Sequence, residues 1–421
     1  MRARYFSPIL LLLLFLILTA FTSCPTTPRS TVVLCTNQPE FTSYAESFNT
    51  SQDDYRVIIS FNNSPHRTIN HENSCEFDLI IDSYLNSRIY LDRFASLEGL
   101  FLDGTLDEDR FYPTIFRQGR YENQQVLLPI SFNLPAVMFD AETDLGETDN
   151  FMVTMEQIAE LNKDFSVSGE KGFTKLGLSL RWNPELLYLV SLLKETDFRE
   201  SETGTLLWNS RGLKEAVDYT RFWTYELNGG LAAEKEFEQK FMIEPPYKLI
   251  SQDRILCYYR DLTEFYSIPP QKRDHLKIRW LAEDNRIPVL PGPLFAAIPH
   301  GAPGIVAAKA FLVWFLDPKN QEKLLEDTQY KRLRTFGIAG GFSSLPAVNE
   351  QILPTYYPDL VGYIPTDEYL RFPRPLPREW PVIKEEVLLP WLSAQAEQEE
   401  TDELLGARLE RWLRQRPPEN E

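Results

Sequence analysis

Polar side chains gather where the apolar runs of this chain stop. Asn37 and Gln38 follow the run Thr31 to Cys35, and Asp82, Ser83 and Tyr84 follow the run Phe77 to Ile81. Amides, a carboxylate and hydroxyls at strand ends suit multidentate hydrogen bonding to a small polar molecule. Helix capping accounts for Asn37 equally well, and capping of the next turn competes for Asp82. Covalent chemistry finds less support: no GxSxG, HExxH, P-loop or dinucleotide fingerprint is present. Glu379, Glu385 and Glu386 offer carboxyls, and glycoside hydrolysis needs two of them about 5 to 10 Å apart across one bond. They fall on a charged helical stretch, where a solvated face is the simpler account. His66, His71 and Cys75 form a loose cluster in a polar loop rich in Asn and Ser. No metal and no cofactor is expected.

The element that must position these groups is residues 127–139, LLPISFNLPAVMF. Two apolar β-rich runs, Val126 to Ile130 and Ala136 to Phe139, are joined by Ser131, Phe132, Asn133 and Pro135 without a glycine turn. A hairpin is not expected. The stretch reads as one extended segment leaving one lobe and entering a second, with Asn133 at the joint; a buried strand pair within one domain is the competing reading. Upstream, Thr31 to Cys35 is a strand, Phe41, Tyr44, Ala45 and Phe48 mark a helix, and Arg56 to Phe61 and Phe77 to Ile81 are further strands. That order, with polar residues at strand ends, describes an open α/β sheet holding ligands at its carboxyl edge.

The amino terminus carries Arg2 and Arg4, then the apolar run Ile9 to Leu18. The run is too short to cross a bilayer core of about 30 Å and reads as an export signal over residues 1–23. FTSC, residues 21–24, resembles a bacterial lipobox with Phe21 in place of the usual leucine, a relaxation found in spirochaete-like versions. Lipidation of Cys24 is therefore expected, against a plain secreted chain with an incidental cysteine; residues 24–30 form a tether. The formal charge of −18 falls to −20 once Arg2 and Arg4 are removed. A phosphate polyanion is repelled, and no basic stripe for nucleic acid is present. Cys35, Cys75 and Cys257 are an odd set after Cys24, so no disulfide framework is expected. Cys35 and Cys257 read as buried thiols, with a Cys35–Cys75 bridge left open.

Several segments resemble the extracellular solute-binding proteins of ABC importers, specifically the large sugar-type, maltose-binding-like family. They are TVVLCTNQPEFTSYAESFN, FDLIIDSYLNS, FASLEGLF and the crossover LLPISFNLPAVMF in one half, then FMVTMEQIAEL and TLLWNSRGLKEAVDYTRFW. The most specific is IPVLPGPLFAAIPHGAPGIVAAKAFLVWFLDPKNQEKLL, residues 287–325, followed by FGIAGGFSSLPAVNE, REWPVIKEEVLLPWL and TDELLGARLERWL. The resemblance implies an α/β, two-lobed periplasmic-binding-protein-like fold (type II), each lobe a mixed sheet flanked by helices, with the ligand cleft between lobes. Lobe one is expected over 30–132 plus 296–335 and lobe two over 133–295 plus 336–421.

The resemblance also implies a small solute, most simply a sugar or oligosaccharide, and ABC permease subunits as partners. The expected protein is a monomer held by a lipid anchor outside the cell membrane. It is not an enzyme. A surface or sensory carbohydrate receptor uncoupled from import is the main alternative, ahead of a carbohydrate-active enzyme. A sugar site needs planar hydrogen-bonders and aromatic platforms. Besides Asn37, Gln38, Asp82, Ser83, Tyr84 and Asn133, the candidates are Trp182, Tyr259, Arg260 and Trp380. Tyr258, Tyr259 and Arg260 are expected after a strand Leu249 to Cys257, with Tyr259 as the aromatic facing the solute, and Trp380 at the start of a late helix. Packing competes with stacking for each aromatic. Gly340 and Gly341 fit either close backbone approach or a positive-φ turn. Asn183 reads as an N-cap with Pro184 at N1, and Leu404, Leu405, Leu409 and Trp412 as a docked amphipathic helix.

Overall fold

In a computed structural model, residues 30–69, 76–145, 151–170, 172–397 and 403–415 are described. The export segment, Cys24, His71 and Cys75 lie outside them. Two mixed sheets organise the chain. The larger runs, edge to edge, Phe342–Ser343, Leu127–Phe132, Leu294–Ala297, Leu79–Ser83, Ser30–Thr36 and Tyr55–Phe61. Ser30–Thr36 pairs in parallel with both Tyr55–Phe61 and Leu79–Ser83, as helical crossovers require. The smaller sheet runs Cys257–Arg260, Ala136–Asp140, Leu276–Ala282 and Met152–Thr154.

The stretch 127–139 divides between the sheets: Leu127–Phe132 lies in the larger and Ala136–Asp140 in the smaller. It is a crossing and not a hairpin, for the reason its sequence gives: Pro135 and Asn133 supply no tight-turn geometry. Pro129 stands inside the first of these strands without an N–H to donate. The register against Leu294–Ala297 shifts there, between Leu294 and Phe295.

Asn133 sits where crossings meet. Its carbonyl accepts from the Leu290 N–H at 2.8 Å, tying the outgoing crossing to the returning one. Gly341 lies against the same turn, and a Cβ there would fall 2.5 Å from the Phe132 carbonyl oxygen. Close approach is what this glycine is for, whereas its neighbour Gly340 takes φ +77° over open space. Each of the two alternatives applies to one member of the pair.

Two expectations need correction. Phe342–Ser343 pairs with Leu127–Phe132 in the larger sheet, although residues 336–421 were assigned to lobe two. Phe336, Ile338, Leu345 and Phe372 share the core of that sheet, and the chain joins the other core only from Leu376. The predicted strand Leu249 to Cys257 is instead a helix, Pro246–Ser251, followed by the strand Cys257–Arg260. Pro246 at the first helical turn presets the backbone and outweighs the apolar run.

Aromatic packing continues between the sheets. Phe132 meets Tyr112, Phe342 and Phe372 with ring centroids 5.3, 5.8 and 5.2 Å away. Trp280 of the smaller sheet reaches Phe342 at 5.7 Å, and Tyr266 stacks on Phe336 at 5.5 Å. The second core lies on the opposite face of the smaller sheet, under Pro184–Leu193, Ser210–Phe222 and Leu389–Glu397. Asn183 caps Pro184–Leu193 by accepting from the Glu185 N–H at 3.0 Å, as expected. The carboxyl-terminal helix Leu405–Gln415 docks here through Leu405 and Leu409, with Leu404 left exposed.

Replacing Gly341 with alanine drives a methyl group into the Phe132 carbonyl. The expected cost is about 1–3 kcal/mol of unliganded stability, read from urea denaturation.

Candidate functional site

The Leu79–Ser83 strand runs two residues further than its apolar pattern, so Asp82 and Ser83 end the strand instead of following it. Asp82 is 1% exposed, and donors surround its carboxylate. Oδ2 accepts from the His66 backbone N–H at 2.9 Å and meets His66 Nδ1 at 2.7 Å. Oδ1 accepts from the Ser83 N–H at 2.8 Å and from Asn37 Nδ2 at 3.2 Å. Gln38 Nε2 in turn donates to Asn37 Oδ1 at 2.7 Å. A carboxylate so buried is tolerable because it is fully hydrogen-bonded. It braces the lobe-one residues and has no acceptor capacity left for a solute hydroxyl, which corrects the direct-contact role expected of Asp82.

His66 was weighed only as a metal ligand and is instead the principal partner of Asp82. No local sequence signal joins the two, since they stand sixteen positions apart in the chain. The Cys35 thiol is buried nearby; burial first, then the Asp82 charge, pushes its pKa up to about 11. It is the inert thiol expected, as is the buried Cys257.

Ser83 Oγ donates to the Gly292 carbonyl at 2.8 Å, which ties the strand end to the returning crossing. Tyr84 has φ +63° and turns its half-buried ring toward the second core, where it packs. Burial raises its hydroxyl pKa most, and the carboxylates of Asp82, Glu185 and Glu385 add to the effect. Its packing against the second core carries the Tyr84 ring from the lobe-one strand end toward lobe two. Gly292, at φ +88°, makes room: a Cβ there would lie 3.0 Å from the Tyr84 hydroxyl.

On the lobe-two side the candidates separate. Trp182 stacks on Phe237 at 5.8 Å and 24°, and on Tyr258 at 6.5 Å and 15°. The Arg260 guanidinium lies 5.1 Å over Tyr258 and pairs with Glu264 at 2.6 Å. Tyr259, one residue away, points to the opposite face of its strand and is buried in the second core. The aromatic beside Trp182 and Arg260 is therefore Tyr258, a correction that follows from strand alternation. Trp380 is 0% exposed and wedged against Tyr188 and Phe198 at 5.8 and 5.3 Å. It begins a helix, Trp380–Ile383, as expected, but its ring is core and not a platform.

The hydrogen-bonded group Asn37, Gln38, Asp82, Ser83 thus forms one unit, and Trp182, Tyr258, Arg260 another. Tyr84 extends from the first toward the second core. Beside the crossings lies a cavity of about 420 Å³, lined among others by Tyr188, Phe198, Pro288, Arg371 and Phe372. It shares no lining residue with either group.

No family model and no curated protein matches the chain. Solved structures do. The sugar-binding protein MalE of Xanthomonas citri superposes with a TM-score of 0.64 at 11% identity, covering 90% of this chain and 95% of that one. An ABC substrate-binding protein of Listeria monocytogenes, in complex with cycloalternan, gives 0.60 at 11%, covering 91% and 97%. The cyclic alpha-maltosyl-1,6-maltose binding protein of Arthrobacter globiformis gives 0.60 at 16%, covering 90% and 97%.

Asp82→Ala leaves His66 and Asn37 without their acceptor and is expected to lower unliganded stability by about 3–5 kcal/mol. Trp380→Ala empties a core site and is expected to cost about 3–5 kcal/mol. Chemical denaturation without any ligand checks both; a loss under 1 kcal/mol in either contradicts its assignment to support. Over almost its entire described length, the chain has the two-lobed α/β fold, type II, of the sugar-binding proteins of ABC transporters.

Proposed function

We propose that this chain is a solute-binding lipoprotein: exported, anchored through Cys24 outside the cell membrane, and acting as a monomer. It captures a carbohydrate between two lobes and presents it to the permease subunits of an ABC importer. It performs no chemistry on the solute. The observation that carries the reading is the pair of sheets joined by crossings at Asn133 and Leu290, with polar strand ends on one lobe and stacked aromatics on the other. The similarity to proteins solved with cycloalternan and named for cyclic maltosyl-maltose supports the choice of solute class.

In this reading Gln38, Ser83 and Tyr84 meet the solute from lobe one, Asn133 from the joint, and Trp182 and Arg260 from lobe two. Asn37 and Asp82 hold the first group in place. Half-buried Tyr84 offers a ring face to a sugar and a hydroxyl that can both donate and accept a hydrogen bond. A ligand touching both lobes stabilises the closed arrangement by its differential affinity, and the permease distinguishes loaded from empty protein by that arrangement.

A thermal-shift screen of the mature chain tests the reading, with cycloalternan, cyclic alpha-maltosyl-1,6-maltose and linear gluco-oligosaccharides as probes. A true ligand at 100 times its dissociation constant adds about 2.7 kcal/mol to the folded state. Tyr84→Ala is expected to weaken that ligand at least about tenfold by calorimetry, in line with loss of about 1.4 kcal/mol or more of contact. If no carbohydrate raises the melting point, or if the purified protein hydrolyses one, the proposal fails.

A further inference from the structure

The short helix Arg88–Leu91 of lobe one begins at Ser87, a residue type that normally caps its own helix. Here the Ser87 side chain makes no capping bond within its helix. Its hydroxyl donates instead to Glu200 Oε1 at 2.9 Å, and the Arg88 backbone N–H donates to Glu200 Oε2 at 2.8 Å. Glu200 belongs to the hairpin Arg199–Glu200 with Leu206–Leu207, which Phe198 and Leu206 root in the lobe-two core. Both Ser87 and Glu200 are buried. A lobe-one helix therefore receives its cap from lobe two, across 112 residues of sequence.

We propose that Glu200 is a positioning residue that couples the two lobes to the lobe-one half of the solute site. The helix it caps starts five residues after Ser83, and the loop between carries Tyr84. That loop is closed on itself by the Ser87 N–H donating to the Tyr84 carbonyl at 3.1 Å. A second thread runs beside it: Asn86 Nδ2 donates to Gln118 Oε1 at 3.0 Å, and Gln118 Nε2 donates to the Pro373 carbonyl at 2.9 Å, on the last crossing. The loop bearing Tyr84 is thus pinned at its far end by Glu200 of the other lobe and, through Gln118, by the last crossing. Separating the lobes strips the cap from the helix and loosens the loop; ordering the loop re-forms the cap and draws the lobes together. The charged groups facing Glu200 are Arg88, which favours its ionised form, and Glu379, which opposes it. Burial raises its pKa against the two hydrogen bonds.

The significance for solute capture rests on the function proposed above, but the coupling itself is measurable without any ligand. Hydrogen exchange and small-angle scattering on the full mature chain provide the readouts. In Glu200→Ala, amides of residues 86–91 are expected to exchange about tenfold faster or more, as loss of a charge-assisted bond implies, and the radius of gyration rises. Glu200→Gln keeps an acceptor for the Arg88 N–H and is expected to restore most of the protection. Ser87→Ala removes only a hydroxyl from lobe one and is expected to speed exchange in residues 198–207 of lobe two. Because it is a small change, it remains informative should Glu200→Ala fail to fold. Faster exchange confined to the lobe that carries each substitution overturns the coupling, whatever the thermal-shift screen finds.

Discussion

A carboxylate buried at the end of a strand survives only if donors converge on it from several directions, and Asp82 shows what that requirement organises. His66, Asn37 and the Ser83 amide reach it from three separate stretches of chain. Their convergence fixes the loop after Ser30–Thr36 against the end of Leu79–Ser83, and so fixes Gln38, Ser83 and Tyr84 relative to one another. Leaving one partner of such a cluster unpaired costs more than the whole cluster contributes relative to an apolar substitute. The group therefore acts as a unit, holding the Asn37 and Ser83 ends of lobe one together, while the Tyr84 loop beyond it takes its far anchor from Glu200.

The joint between the lobes is built differently. Asn133, Leu290 and Gly341 bring backbone to backbone, while Trp280, Phe342, Phe132 and Tyr266 pack around them. Aromatic contact that dense opposes free swinging. Away from the joint the lobes also meet through hydrogen bonds, as where Glu200 meets Ser87 and the Arg88 amide.

Much of this was legible in the sequence, and what was not has a common physical cause. The crossing at 127–139, the Asn183 cap, the buried Cys35 and Cys257 and the docking of Leu405 and Leu409 follow from local pattern. The pattern points to Tyr259 where the structure has Tyr258, because a strand's parity is invisible until its ends are known and a proline-started helix occupies part of the apolar run. Trp380 begins its helix where expected, but whether a ring faces a groove or a core depends on Tyr188 and Phe198. The pairing of Asp82 with His66 and of Glu200 with Ser87 are long-range facts with no local signature.

Gly292 carries a last implication. Its carbonyl receives Ser83, and its missing side chain leaves the Tyr84 hydroxyl just enough room. The clearance between the returning crossing and that ring is thus set by a single hydrogen atom. Any side chain at this one position would both strain a backbone held at φ +88° and press on the Ser83 and Tyr84 hydroxyls, so this glycine is the spacer between the returning crossing and the strand end.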